Sequence, residues 1–258
     1  VNQKIIRVGT VGFPISKKNL FSRVDVIELS DTFNALPKEK TGRKLREETP
    51  SRAAFTMQLP KFLFAAPGPK SQLPGNAEGY GEFQNTDENR KLFEQAVRYA
   101  DAVGSDTLVL MTPSDFTPAK PRREALATFL SAVHRASKKL VWQPSGPWEI
   151  ERAAAFAAEI GAVLAVDPLR DDPPSGPACY LRLGPFSAMG SRVGNYDLEK
   201  IAEIAGSFED ATVIFDTEKA FDDAKNLKTV LAEGAFDEDD DDDEEDDDDD
   251  DEEDFEEE

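Results

Sequence analysis

A closed (β/α)8 barrel of the TIM type is the fold this sequence predicts, on three observations. Eight short runs rich in β-branched and other apolar residues recur along the chain, and segments of helical period separate most of them. Strand and helix alternating this regularly make a parallel sheet. The first run leads into GTVGFP, which lacks the G-x-G-x-x-G turn expected of an open, dinucleotide-binding sheet, so closure is favoured over a doubly wound arrangement.

The first strand is IIRVG (5–9), and the second is VDVIEL (24–29), followed by a helical segment at 38–48. AAFTMQL (53–59) is the third. Residues 60–86, PKFLFAAPGPKSQLPGNAEGYGEFQNT, then form a long connection punctuated by Pro and Gly, of the kind that serves as a lid, a binding loop or a disordered insertion. A helix over 87–103 leads to TLVLM (107–111), one over 122–138 to KLVW (139–142), and one over 148–160 to AVLAV (162–166). DPLRDDPPSGP (167–177) stands where a sixth helix would lie. CYLRL (179–183), a helix over 197–206, TVIF (212–215) and a last helix over 218–232 complete the pattern.

Charge divides the chain into two parts. From Asp237 to Glu258 every residue but Phe255 is acidic, and removing those 21 carboxylates from the 52 Asp and Glu leaves 31 against 30 Lys and Arg. Residues 1–236 are therefore nearly neutral and long enough for one barrel domain, and 237–258 read as a disordered polyacidic tail. A polyanion repels phosphate and anionic headgroups, which argues against direct nucleic-acid or membrane binding and leaves a basic protein as the tail's natural partner. The single cysteine, Cys179, excludes an intrachain disulfide and a Cys cluster, so a reducing, cytoplasmic setting is expected. No run approaches the length of a membrane helix. The sequence opens on Val1 rather than methionine, which suggests trimming and leaves a removed leader open.

Several blocks resemble the YecE-like barrels, a family of uncharacterised proteins also known as a domain of unknown function. VIELSDTFNALP (26–37), LREETP (45–50) and AFTMQLPKF (54–62) are similar to its V-E-I-N-S-T-F-Y-x-L-P, W-x-E-x-T-P and F-x-F-x-x-K-x-P segments. YLRLG (180–184), GNYDLE (194–199) and VIFDTEKAFDDAKNLKTVL (213–231) resemble later ones. The resemblance covers most of residues 5–233 and implies a barrel, with little about chemistry. This sequence departs from the family pattern mainly at strand ends: Ser30, Gln58, Met111, Trp142, Pro144, Ser145, Gly184 and Asp216 stand where the family has other, mostly polar groups. Those departures imply an ancestral activity altered or lost.

Strand period selects the candidate site. Side chains alternate across a strand, so Val26 and Glu28 face the axis when Ile27 and Leu29 face the helices. The same parity turns Gln58, Asp167, Arg182 and Asp216 inward, each near the C-terminal end of its strand, where barrels of this kind bind ligands. Glu28, Asp167 and Asp216 are the candidate catalytic carboxylates. Gln58, Lys61, Trp142, Arg182 and Arg192 are the candidate ligand contacts, with Arg182 and Arg192 positioned to attract an anion near the loop GPFSAMGSRVGNY (184–196). The competing reading is structural: Glu28 forms a buried ion pair with Arg182 or Arg7. A metal held by Glu28, Asp167 and Asp216 would have oxygen ligands alone, suiting Mg²⁺ or Mn²⁺, but no metal or other cofactor is expected. His134 near a helix end reads as a surface or capping group, Cys179 as a packed residue near the N-terminal rim, and Trp148 as packing or lining the mouth.

Two functions follow from these residues. The first is a barrel that binds a small polar or anionic molecule at its C-terminal mouth, with any catalysis resting on carboxylates. The alternative is a catalytically silent scaffold or interaction protein whose acidic tail binds a basic partner.

Overall fold

The computed structural model describes residues 4–68, 71, 73–185, 187 and 192–237, except for the side chains of 235–237. The tail from residue 238 onward lies outside the described residues, as does much of the loop over 184–196. Eight parallel strands close on themselves in sequence order: β1 (Ile5–Val11), β2 (Val26–Leu29), β3 (Ala54–Gln58), β4 (Ser105–Thr112), β5 (Lys139–Pro144), β6 (Val163–Val166), β7 (Ala178–Leu183) and β8 (Asp210–Phe215). Six continuous β1–β8 pairs, from Ile5 with Asp210 to Thr10 with Phe215, seal the barrel. Every apolar run in the sequence is one of these strands.

Alternation explains why the runs are apolar on both faces. One set of side chains fills the barrel: Val26, Val109, Val141, Ala165, Tyr180 and Ile214, joined by Val11, Ala54, Met111 and Val163. The other set, including Val8, Ile27, Phe55, Leu108, Trp142, Leu181 and Phe215, packs against the surrounding helices. A parallel sheet buried on both sides needs such runs.

The helices are α1 (Lys17–Phe21), α2 (Asp31–Asn34), α3 (Glu39–Glu47), α4 (Asp87–Val103), α5 (Lys120–Ala132), α6 (Ile150–Glu159), α7 (Asn195–Gly206) and α8 (Ala220–Asp237). The first two are too short to show a helical period, which is why the sequence did not announce them. The helix expected over 122–138 stops at Ala132, and Ala136 takes a positive φ of 52°. His134 therefore sits exposed beyond the helix rather than near its end. As expected, no helix joins β6 to β7. Among the described residues no helix is long and apolar enough to cross a membrane.

The connection after β3 is packed against the barrel. Leu63, Tyr80 and Phe83 are buried in the outer core, and Phe83 contacts the rings of Phe64, Phe116 and Phe129 at 5.7–6.3 Å. Gly81, Glu82 and Phe83 all have positive φ, and the buried amide of Asn89 fixes that left-handed turn by bonding to Gly81 and to the Gln84 carbonyl. The same α4 terminus is capped by Thr86, which accepts from the Asn89 N–H.

Closure brings β1 against β2 so tightly that Gly9 has no room for a side chain: a Cβ there would lie 1.8 Å from the Val26 carbonyl oxygen. Gly9→Ala is expected to destabilise the barrel by about 3 kcal/mol or more, the upper end of overpacking costs, because backbone rather than a pliable side chain must move. Urea denaturation measures this, and an unchanged midpoint would contradict the close approach.

Candidate functional site

Glu28 is fully buried inside the barrel near its C-terminal mouth. Such a carboxylate is tolerated only if its oxygens find donors. Oε1 accepts from Gln58 Nε2 at 2.6 Å and Arg182 Nε at 3.0 Å, while Oε2 accepts from the Tyr180 hydroxyl at 2.6 Å. Because the one phenolic proton is directed at Glu28, the Thr56 hydroxyl, 3.0 Å from the same oxygen, donates to Tyr180. Burial drives the Tyr180 phenol well above its usual range, and the charge of Glu28 adds to the shift. Tyr180 therefore stays a neutral donor.

Arg182, only 5 % exposed, links this cluster to β8 through Nη2, 3.1 Å from Asp216 Oδ2. Burial works against its charge, but Glu28 and Asp216 more than offset that and raise its pKa. Asp216 is only partly buried. Burial raises its carboxyl above the usual range, the Arg182 charge lowers it, and Glu28 raises it again. Asp167 follows β6 and accepts from Ser187 Oγ at 2.6 Å and the Leu169 N–H at 3.1 Å, with Arg170 Nε 3.3 Å away.

A pocket of about 670 Å³ opens between the ends of β5, β6 and β7, where the sixth helix is missing, and Gln143, Trp148, Asp167, Arg170, Arg182 and Ser187 line it. Gln143 Oε1 is buried there without a hydrogen-bond partner among the described residues.

The inward parity of Glu28, Gln58 and Arg182 brings these three and Asp216 into one bonded cluster, with Asp167 on the adjoining pocket wall. Other expectations need correction. Trp142 does not line the mouth: it is 0 % exposed, faces the outer layer against Trp148 and Phe156, and donates from Nε1 to Thr112 Oγ1. Its neighbour Val141 points inward, so strand alternation sends the indole outward. Arg7 is not a partner of Glu28, since it pairs with Asp210 at 2.6 Å on the opposite rim. Lys61 bonds Asn34 Oδ1 at 2.8 Å beyond the end of β3, and Arg192 is exposed in the β7–α7 connection; neither belongs to the bonded cluster. Cys179 is buried near the N-terminal rim, and burial pushes its thiol up to about 12. Among the described residues no group of three or more His, Cys, Asp or Glu is placed to hold a metal.

Sequence reasoning missed Tyr180, Thr56 and Gln143. All three face inward: Tyr180 precedes Arg182 by two, Thr56 precedes Gln58 by two, and Gln143 follows the inward Val141 by two.

No family model matches the chain, and no curated protein matches it in sequence. Solved structures do match. A DUF72 family protein from Enterococcus faecalis V583 superposes with a TM-score of 0.68 at 14 % identity, over 90 % of this chain and 99 % of that one. A DUF72 family protein from Thermotoga maritima MSB8 gives 0.61 at 17 % identity, over 88 % and 99 %. A D-tagatose 3-epimerase-like protein gives 0.54 at 13 % identity, over 90 % and 99 %. At these identities the shared property is the fold.

Glu28→Gln leaves Arg182 buried beside a neutral amide, and a loss of about 3–5 kcal/mol in denaturant unfolding is expected for one broken partner of a buried pair. Adding Arg182→Met should recover much of that loss. A single variant as stable as the wild type would show that the pair does not hold the mouth. Asp216 has the opposite sign from an ordinary salt-bridged acid. Its folded pKa lies above the unfolded 3.8, so its contribution to stability declines as pH rises from 3.8 through the folded value. Subtracting the stability–pH curve of Asp216→Asn from that of the wild type should leave this downward step, and a rising difference would contradict it.

Proposed function

We propose that this chain is a divergent YecE-like barrel that binds a small polar or anionic molecule at its C-terminal mouth, in the pocket between β5, β6 and β7. The observation that carries the reading is the buried Gln143 Oε1, which has no partner among the described residues, on the wall that also presents Arg182 and Asp167. Native interiors seldom leave such an acceptor unmet, and a convergent set of polar groups in a pocket of this size suits a small ligand. The family assignment is supported by the sequence blocks around Glu28 and Arg182 and by the fold shared with the DUF72 proteins.

Within this reading the carboxylates have different roles. Glu28 is a positioning residue: three side chains occupy its oxygens, and its task is to hold Arg182. Asp216, partly exposed and with a raised pKa, bonds Arg182 from outside the pocket lining, and Asp167 is the candidate carboxylate on the pocket wall itself. Titrating ¹⁵N-labelled protein with polyols, hydroxy acids and phosphate esters should shift amides in 143–146, 164–167 and 182–184. Shifts absent there, or confined to the opposite rim around Arg7 and Asp210, would overturn the reading.

The acidic composition of 237–258 favours a second reading, in which the barrel is a scaffold and the tail engages a basic protein. Removing residues 238–258 should leave the unfolding midpoint unchanged and abolish any partner whose binding weakens steeply with salt. Identical partners for both forms would end that reading.

A further inference from the structure

The mouth has a cation at its centre and yet is poorly suited to an anion. Arg182 is already met by two carboxylates, Glu28 at Nε and Asp216 at Nη2. The second guanidinium on the pocket wall, that of Arg170, lies 3.3 Å from Asp167, and Asp171 adds another carboxylate to the lining. An entering anion therefore finds both guanidinium groups on the wall already paired, and the two carboxylates that line the pocket, Asp167 and Asp171, repel it.

Two hydrogen-bonding positions on the wall are unmet among the described residues, an acceptor at Gln143 and a donor at Arg182. Among the described residues Gln143 Oε1 is buried with no donor and nothing accepts from Arg182 Nη1. A hydroxyl serves both. It also serves if the Gln143 amide is turned the other way, since it can accept from the amide NH₂ as readily as donate to the carbonyl. Trp148, Ile150 and Leu164 give the same pocket an apolar side that suits a carbon backbone.

We propose that the ligand is a neutral polyhydroxylated molecule, a polyol with a backbone of about four to six carbons as fits a pocket of this size, seated with hydroxyls at Gln143 and Arg182. This inference rests on the reading of the mouth as a binding site and narrows its chemistry.

The test is calorimetric titration of the full chain with erythritol, ribitol and sorbitol, and separately with inorganic phosphate and malonate, at fixed pH and at two ionic strengths. At least one polyol is expected to bind with an affinity indifferent to salt, and Gln143→Leu should weaken it tenfold or more. Gln143→Glu, which keeps an acceptor and adds a charge, should retain polyol binding to within a few-fold. Amide shifts should place the polyol at 143, 164–167 and 182. Phosphate or malonate binding there in preference to every polyol would overturn the proposal and leave the mouth reading standing. Polyol binding unaffected by Gln143→Leu would also overturn it. If neither the polyols, the two anions nor the wider panel shifts a mouth amide, the mouth reading fails and this inference fails with it.

Discussion

The buried pair of Glu28 and Arg182 is the constraint around which the mouth of this barrel is organised. Removing a carboxylate and a guanidinium from water costs more than their attraction returns unless every remaining hydrogen-bonding position is filled. The surrounding residues meet that demand from four strand ends: Glu28 from β2, Gln58 from β3, and Tyr180 and Arg182 from β7, with Asp216 just past β8. Thr56 supports Tyr180 from one layer deeper. The network crosses the barrel as well as following its circumference, since β2 and β7 are not neighbours. It therefore braces the C-terminal end against distortion in a way that the backbone ladder, which links adjacent strands alone, does not.

The opposite rim solves its charge problem differently. Arg7 and Lys139 both reach Asp210, at 2.6 Å each, in partly exposed positions. There solvent screens the charges and the pairing is dispensable in a way the Glu28 cluster is not. The two rims thus separate the barrel's interests: one end is closed by surface ion pairs over a cavity of about 50 Å³, and the other holds polar groups beneath a pocket large enough for a ligand.

Much of this was legible because the period of a strand is two. Once Val26 is placed inside, Glu28 must follow, and the same step places Gln58 and Arg182. Trp142 was misplaced because it was chosen for standing at a strand end where a related sequence pattern carries an acid; alternation from Val141 sends it outward. Tyr180 and Thr56 are less legible because they lie one inward step below the strand ends, in the layer from which a carboxylate with two oxygens draws a further donor. Gln143 lies among prolines and glycines that look like a loop. The short helices α1 and α2, and the end of α5 before the left-handed Ala136, depend on tertiary packing that no local period encodes.

Cys179 gives this architecture an internal clock. Its thiol is the chain's only one, it is buried near the N-terminal rim, and its pKa of about 12 leaves almost no reactive thiolate while the barrel is closed. In an opened chain the same group returns to an ordinary cysteine, so the rate at which a thiol reagent consumes it measures how often β7 separates from the strands and helix beside it. The molecule thus reports its own breathing through one atom, with no residue substituted.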